Sequence, residues 1–312
     1  MKAIICTKYG PPEVLQFQEV EKPAPKDNEV CIKIHATSIT GSDIIIRGFK
    51  VPPVMGIMMG IAIGFTKPRN PILGLILAGE IESTGKNVKR FKKGDQVYGV
   101  TLKTGMQPRM GTYAEYKCLP EDSFLILKPS NITYKEAAAI PYGGSIALYF
   151  LRRANIQNGQ KILVYGASGS IGTSLVQLGK YFGANVTGIC STSNLDLVKS
   201  LGADTVIDYT KEDFTNREER YDIIFDAVPA RMINRKSLKS RCAKALTPNG
   251  KYQSIDDGRP EFNTEGLLLL KDLVETGKIK PVIDRCYPLE RIAEAHGYVE
   301  KGHKRGNVII TI

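Results

Sequence analysis

Residues 162–172 read Ile162-Leu163-Val164-Tyr165-Gly166-Ala167-Ser168-Gly169-Ser170-Ile171-Gly172. An apolar run closing on small residues predicts a buried strand, a tight turn, and then a helix over Ile171–Phe182. In the spacing Ala167-x-Gly169-x-x-Gly172, Gly169 lets backbone come close to a pyrophosphate. Gly172 lets the helix pack tightly on the strand. The helix N-terminus turns unpaired N–H groups and a positive dipole end toward the phosphates. Alanine stands where the motif wants its first glycine, so the motif alone is only moderately specific. The strand before it and a second strand at Asn185–Cys190 support a dinucleotide site. A plain βα turn with glycines for packing remains the bland alternative.

The second strand should indicate which dinucleotide. An acidic residue about 20 positions on would bond a ribose 2′-OH and mark NAD. Here the strand ends in Cys190-Ser191-Thr192-Ser193-Asn194, and Tyr209 follows the next strand. Hydroxyls and an amide can donate to a 2′-phosphate, and the spacing predicts NADPH. The same residues could instead cap the next helix, and the two uses are compatible.

These residues need elements to hold them. From Lys161 onward strands and helices alternate, with strands at Ile162–Tyr165, Asn185–Cys190, Thr205–Asp208 and Tyr221–Asp226. That order implies a right-handed parallel sheet. Before residue 125 the texture is β, with Pro and Gly punctuation. Strands are expected at Glu29–Ala36, within Ile72–Ser83, after Lys92 and at Gly111–Tyr116. Thr133-Tyr134-Lys135-Glu136 is a capping box. Its helix should run through Ala139, break at Pro141 and Gly143-Gly144, and resume to Arg153. The closing segment predicts a helix and a strand at Asn307–Ile312.

Composition narrows the function classes. The chain has 312 residues, 42% of them hydrophobic, enough for two domains. Its net charge of +11 comes from Lys and Arg spread from end to end. A nucleic-acid binder would gather them and interleave aromatics. The six cysteines form no C-x-x-C pair, which suits a reducing compartment. The N-terminus turns polar at once, and the apolar run Val54–Phe65 is shorter than the roughly 20 residues a membrane span needs. Cytoplasm is expected, with neither membrane nor nucleic acid as partner.

The chain resembles the medium-chain dehydrogenase/reductases of the zinc-independent, quinone-oxidoreductase-like branch over nearly its whole length. The resemblance rests on Met1-Lys2-Ala3, Gly10-Pro11-Pro12-Glu13-Val14-Leu15, Lys93-Gly94-Asp95-Gln96-Val97 and Tyr113-Ala114-Glu115-Tyr116. It continues through Glu136-Ala137-Ala138-Ala139-Ile140-Pro141, Val164 to Gly169, Leu201-Gly202-Ala203-Asp204 and Ile207-Asp208-Tyr209. It implies a Rossmann doubly wound sheet at 126–274 and a GroES-like β domain at 1–125, to which 275–312 returns. The active site would lie between them. Cofactor contacts would fall on Ala167, Ser168, Gly169, Ser170, Ile171 and Gly172 at the pyrophosphate. Ser191, Asn194 and Tyr209 would lie near the adenosine phosphate, with Val228 beside the turn. Asn194 stands where relatives often have a Lys.

Zinc-dependent relatives carry ligands where this chain has Thr40, Leu75-Ile76 and Pro141, and no cysteine lies between Tyr98 and Tyr113. No metal is expected. The resemblance then implies hydride transfer to an acceptor already polarised, a quinone or an α,β-unsaturated carbonyl, with small apolar molecules as substrates. Thr40 is the leading hydrogen-bond donor. Asp43 is expected to be structural or supporting, Ser145 to lie near the nicotinamide, and Tyr142 to be a weaker candidate. Ile45 replaces a tyrosine common in quinone reductases. The Met-rich stretch from Phe49 to Phe65 lies at the substrate loop and reads as an apolar mouth or as core. A homodimer is a further expectation, although Ile255–Leu267 is brief for the family. Two other readings stay open: a non-catalytic NADPH-binding redox sensor, and a zinc-type alcohol dehydrogenase.

Overall fold

In the computed structural model, all residues are described except 102–108, 230, 231, 233 and 259. Two sheets dominate the described chain. One has five strands in the spatial order β10-β9-β8-β11-β12. These are β8 (Lys161–Tyr165), β9 (Asn185–Cys190), β10 (Thr205–Asp208), β11 (Tyr221–Asp226) and β12 (Leu246–Ser254). All neighbours are parallel. The chain starts in the middle at β8, winds outward through β9 and β10, then crosses to β11. The gap between β8 and β11 is therefore the point where strand order reverses, the usual crevice for a ligand in such sheets.

The other sheet has seven strands, six of them in the order β13-β14-β3-β4-β5-β7, with β6 paired to β3. Its members are β3 (Glu29–Ile39), β4 (Ile76–Thr84), β5 (Gln96–Val100), β6 (Tyr116–Pro120), β7 (Phe124–Leu127), β13 (Ile283–Pro288) and β14 (Asn307–Thr311). The C-terminal strands thus complete the sheet begun near the N-terminus, β14 lying antiparallel to β3. A separate hairpin joins β1 (Lys2–Cys6) and β2 (Leu15–Glu19). Alternation along β3 buries Val30, Ile32 and Ile34 with Leu77, Ile81 and Val97 in one core.

Some expectations need correction. The strand expected at Gly111–Tyr116 begins only at Tyr116. Gly111 takes φ +138°, and the following residues turn Tyr113 into the core, touching β1 through one bridge, Ala3 to Ala114. The capping box holds: Thr133 caps α3 (Tyr134–Ala138) reciprocally with Glu136. Pro141, however, opens α4 (Pro141–Ala154) at its first turn, where its missing N–H costs nothing. Gly143 and Gly144 lie inside that helix. A Cβ on Gly143 would meet Ser170 O at 2.5 Å, and one on Gly144 would meet Leu270 at 2.8 Å. These glycines serve close packing, and the helix runs through them.

The Met-rich stretch forms a helix, α2 (Pro53–Ile63), following α1 (Gly41–Gly48) at a bend of 92°. Most of α2 is uncovered, with Val54 at 75% and Ile61 at 60% exposure, while Ile63 joins the main core and Phe49 and Met59 pack against it. No single helix among the described residues is long and apolar enough to cross a membrane.

Candidate active site

At the end of β8 the chain reverses through Gly166, whose φ is +82°. That is left-handed backbone, costly for any residue with a Cβ. Gly166 is thus the first glycine of the turn, one position before Ala167, and the pattern is Gly166-x-x-Gly169-x-x-Gly172. Ala167 is fully buried, its N–H and that of Gly166 both donating to Ile189 O on β9. The three glycines have different reasons. A Cβ on Gly166 would meet Val228 Cγ2 at 2.7 Å. One on Gly172 would strike Gly166 O at 2.1 Å, so this residue sets the approach of helix to strand. A Cβ on Gly169 would find nothing nearer than 3.6 Å. Its own fold does not require Gly169 to be glycine.

Gly169 is the N-cap of α5 (Ser170–Tyr181), and no side chain caps that end. The first bond of the helix runs from Thr173 N to Gly169 O. The N–H groups of Ser170, Ile171 and Gly172 are therefore those the helix itself cannot pair. A cradle without side chains, at a positive helix end, fits the diphosphate of a dinucleotide.

The adenosine end is built around Asn194, which is buried after β9. Its Nδ2 donates to Ser168 Oγ at 3.2 Å and Ser191 Oγ at 3.1 Å, leaving Oδ1 without a partner among the described residues. One amide thus ties the glycine turn to the end of the second strand. Sequence reasoning missed the neighbouring strand. Parallel register sets Asp208 beside Cys190, and Asp208 accepts from Thr192 Oγ1 and from the Thr210 hydroxyl. A carboxylate does stand near this site, against expectation. The Thr192 and Thr210 hydroxyls hold it below the usual Asp range, so it is ionised. Lys211, also overlooked, reaches to 4.0 Å of it and is exposed. Tyr209 is exposed beside them.

The glycine turn is also gripped from the other lobe. Gly306 N–H donates to Ser168 O at 2.7 Å, and the Ser170 hydroxyl donates to Asn307 Oδ1 at 2.7 Å. The side chain of Ser170 thus joins the lobes, and its backbone is what remains for a ligand. Nothing in the spacing of residues 300–312 announced this contact.

On the other side, Thr40 and Asp43 form a capping box at the start of α1. The Thr40 N–H and hydroxyl both donate to Asp43 Oδ2 at 2.7 Å, while Asp43 N–H donates to Thr40 Oγ1 at 3.2 Å. Burial pushes the Asp43 carboxyl up to about 6, opposed by the Thr40 hydroxyl and N–H and by the Tyr113 hydroxyl. Beneath it, Tyr113 OH meets His296 Nε2 at 3.2 Å. Burial, aided by the Arg47 charge, pushes His296 down to about 3, so the ring is neutral. Arg47, wholly buried on α1, donates to Gly10 O at 2.6 Å and pairs with Glu300 of α9 (Ile292–Glu300). α1 is fixed at its base.

The cleft itself is bridged by hydroxyls. Ser42 Oγ and Tyr142 OH are 3.0 Å apart, joining α1 to α4. Tyr142 also leans on Phe262, with ring centroids 6.3 Å apart. Ser145, one turn along α4, has a buried hydroxyl with no partner among the described residues. It borders a cavity of about 270 Å³ that runs along α4 to Arg152 and Arg153 and is not lined by Thr40, Ser42, Tyr142 or the glycine turn. Thr40 and Asp43 are thus brought together, as are the turn residues with Ser191, Asn194 and Val228. Ser42 went unsuspected, because a lone serine carries no spacing signal.

The positions that would correspond to zinc ligands in zinc-dependent relatives do not suit a metal here. Thr40 is engaged in its capping box, Leu75 and Ile76 are buried core residues at the start of β4, and Pro141 has no donor atom. Zinc needs three or four N, S or O ligands converging, and no such group of His, Cys, Asp or Glu occurs among the described residues.

The chain is similar to known proteins over nearly its whole length. The alcohol dehydrogenase GroES-like domain family matches residues 26–130, and zinc-binding dehydrogenase families match 170–260 and 259–310. The chain is 33% identical to a 2-methylene-furan-3-one reductase of Solanum lycopersicum, covering 99% of this chain and 79% of that protein. It is 32% identical to a chloroplastic NADPH-dependent alkenal/one oxidoreductase of Arabidopsis thaliana, with the same coverage of 99% and 79%. The solved quinone oxidoreductase of Coxiella burnetii superposes with a TM-score of 0.82 at 27% identity, covering 100% of this chain and 99% of that one. With the Rossmann and GroES-like sheets both present, the chain belongs to the medium-chain dehydrogenase/reductase superfamily, in its quinone-oxidoreductase-like branch.

Proposed function

We propose that the chain is an NADPH-dependent oxidoreductase that reduces quinones or α,β-unsaturated carbonyls by hydride transfer without a metal. The observation that carries this reading is the open cradle over Gly169 at the unpaired end of α5. Relatives whose names specify NADPH, enones and quinones support it. Residues 126–274 form the cofactor lobe, and 1–125 with 275–312 the substrate lobe.

The N–H groups of Ser170, Ile171 and Gly172 bind the diphosphate, with Ala167 and Val228 shaping the turn. Ser191, Asn194 and Tyr209 line the adenosine phosphate, and Lys211 supplies the cation that position 194 lacks. Asp208, held by two threonines, works against that phosphate, so the preference over NADH is modest. When bound, the dinucleotide supplies the hydride. The chain supplies position, a dry cleft and a donor to the developing oxyanion. Ser42 can donate to a substrate oxygen while accepting from Tyr142. The capping box of Thr40 and Asp43 fixes where Ser42 points. Ser145 serves the nicotinamide side. A quinone or enone is already electron-poor at the accepting carbon, so Thr40, Leu75, Ile76 and Pro141 in the zinc positions are compatible with turnover. Scattered basic residues support a small-molecule partner, and the proposed setting is a cytoplasmic homodimer.

The test is a panel of 1,2-naphthoquinone, an alkenal and a simple alcohol, run with NADPH and NADH on protein washed with a chelator. Consumption of NADPH with the first two is expected. NADPH binding without turnover of any acceptor would favour a non-catalytic sensor.

A further inference from the structure

Cys31 on β3 and Cys118 on β6 lie directly opposite each other in antiparallel register. The bonds around them fix the kind of site. Ile34 N–H donates to Glu115 O and Glu121 N–H to Asn28 O, so even-numbered residues of β3 occupy the hydrogen-bonded pairs. Cys31 therefore sits in a non-hydrogen-bonded pair. Such pairs have Cα atoms about 4.5 Å apart and side chains on the same face. That lies inside the range of about 4.4–6.8 Å that a disulfide spans. Pro120, which has no N–H, faces Glu29 in the same class of site.

The facing Cys118 thiol holds Cys31 below the usual thiol range, and the Lys22 ammonium adds to this against burial. Cys31 Sγ also donates to Pro23 O at 3.7 Å. The Cys31 thiol in turn pushes Cys118 up. Cys31 is thus the better thiolate and Cys118 the better proton holder. Cys118 is partly exposed and Cys31 is buried; among the described strands β6 pairs only with β3, so local opening of this edge gives a peroxide access to Cys31. Cys31 is buried like Cys6, Cys190 and Cys242, but it faces a second thiol and is held below the usual thiol range, whereas burial raises the other three.

We propose that Cys31 and Cys118 are a cross-strand dithiol that hydrogen peroxide oxidises to a reversible disulfide. The Cys31 thiolate attacks one peroxide oxygen, the O–O bond breaks, and a sulfenic acid forms as hydroxide leaves and takes up a proton. Cys118 sulfur then attacks Cys31 sulfur. The S–S bond forms, the S–O bond breaks, and a water departs with the Cys118 proton. The dithiol loses two electrons, and the peroxide is reduced to two waters. The bond ties β6 to β3, the strand that ends at Ile39 beside Thr40.

The experiment exposes the full chain to hydrogen peroxide, blocks free thiols with N-ethylmaleimide and maps peptides by mass without reduction. A linked Cys31–Cys118 peptide, reversed by dithiothreitol, is expected. Closing so long a loop should raise Tm by about 4 °C or more. Cys118→Ser should abolish both the link and the rise, leaving Cys31 as a singly oxidised thiol. Recovery of both cysteines as maleimide adducts where exposed Cys286 is oxidised would overturn the proposal. Oxidation of either one beyond sulfenic acid with no link would do the same. Should the variant fail to fold, the wild-type map decides alone.

Discussion

Around Gly166–Gly172, backbone geometry dictates glycine at 166 and 172, whereas on α2 five large apolar side chains are exposed. At the turn, Gly166 is required by a positive φ and Gly172 by a carbonyl 2.1 Å from its missing Cβ. On α2, Val54, Met55, Ile57, Met58 and Ile61 are exposed. The first region is shaped to hold a ligand common to a superfamily. Under the proposed function, the second would border the way in for the acceptor. Binding of cofactor should therefore be hard to alter without damage, and substrate range easy.

The sharpest way to break this contrast is Gly172→Ala. The new methyl meets backbone, which cannot move aside, so a loss of about 3 kcal/mol or more of stability is expected. Denaturant unfolding measures it, and a loss under 1 kcal/mol would show that the turn is looser than it looks.

Next in size is a pH effect in the floor of the substrate lobe. Asp43 has a folded pKa raised to about 6, so its contribution to stability is full below its unfolded value and declines as pH rises to 6. His296 is lowered to about 3, so its contribution is present above its ordinary value and lost as pH falls toward 3. The two oppose each other between about pH 4 and 6. Asp43→Asn should leave the acid loss of His296 exposed. His296→Gln should leave a protein that gains stability on mild acidification. The change in slope should amount to about 2 kcal/mol across that window, read by unfolding at several pH values. Identical pH profiles for both variants would contradict this.

Gly169→Ala should be milder and more specific. The fold has room for the methyl, while a diphosphate over the cradle does not. NADPH affinity is expected to fall about tenfold, or roughly 1.4 kcal/mol, with Tm unchanged. A loss of Tm with unchanged affinity would reverse the roles assigned to Gly169 and Gly172. Smallest of all, replacing Met55 and Met58 with Ser should raise KM for an apolar enone about threefold, without touching NADPH affinity or Tm. An unchanged KM would remove α2 from the substrate path.

The same contrast governs what the sequence could reveal. The parallel sheet was legible because buried strands and glycine turns leave a pattern in a single segment. The capping box at Thr133 and the turn at Gly169 are equally local. Sequence spacing places the register of that turn one residue late, because only the positive φ of Gly166 shows which residue makes the reversal. Contacts between distant segments left no trace: Asp208 beside Thr192, Asn307 on Ser170, Ser42 against Tyr142. Each joins residues whose spacing is set by the sheet and not by the chain. The break expected at Gly143-Gly144 failed for the same reason, since the helix tolerates those glycines where α5 and Leu270 press against them.

The central claim is a hydride passing from NADPH to a self-activated acceptor without a metal. The most direct measurement uses NADPH deuterated at C4 with an alkenal and chelator-washed protein, and locates the label by mass and NMR. The account predicts one deuterium at the β-carbon of the saturated product, at a rate unaffected by added zinc. Deuterium absent from the product, or appearing only when zinc is restored, would contradict it.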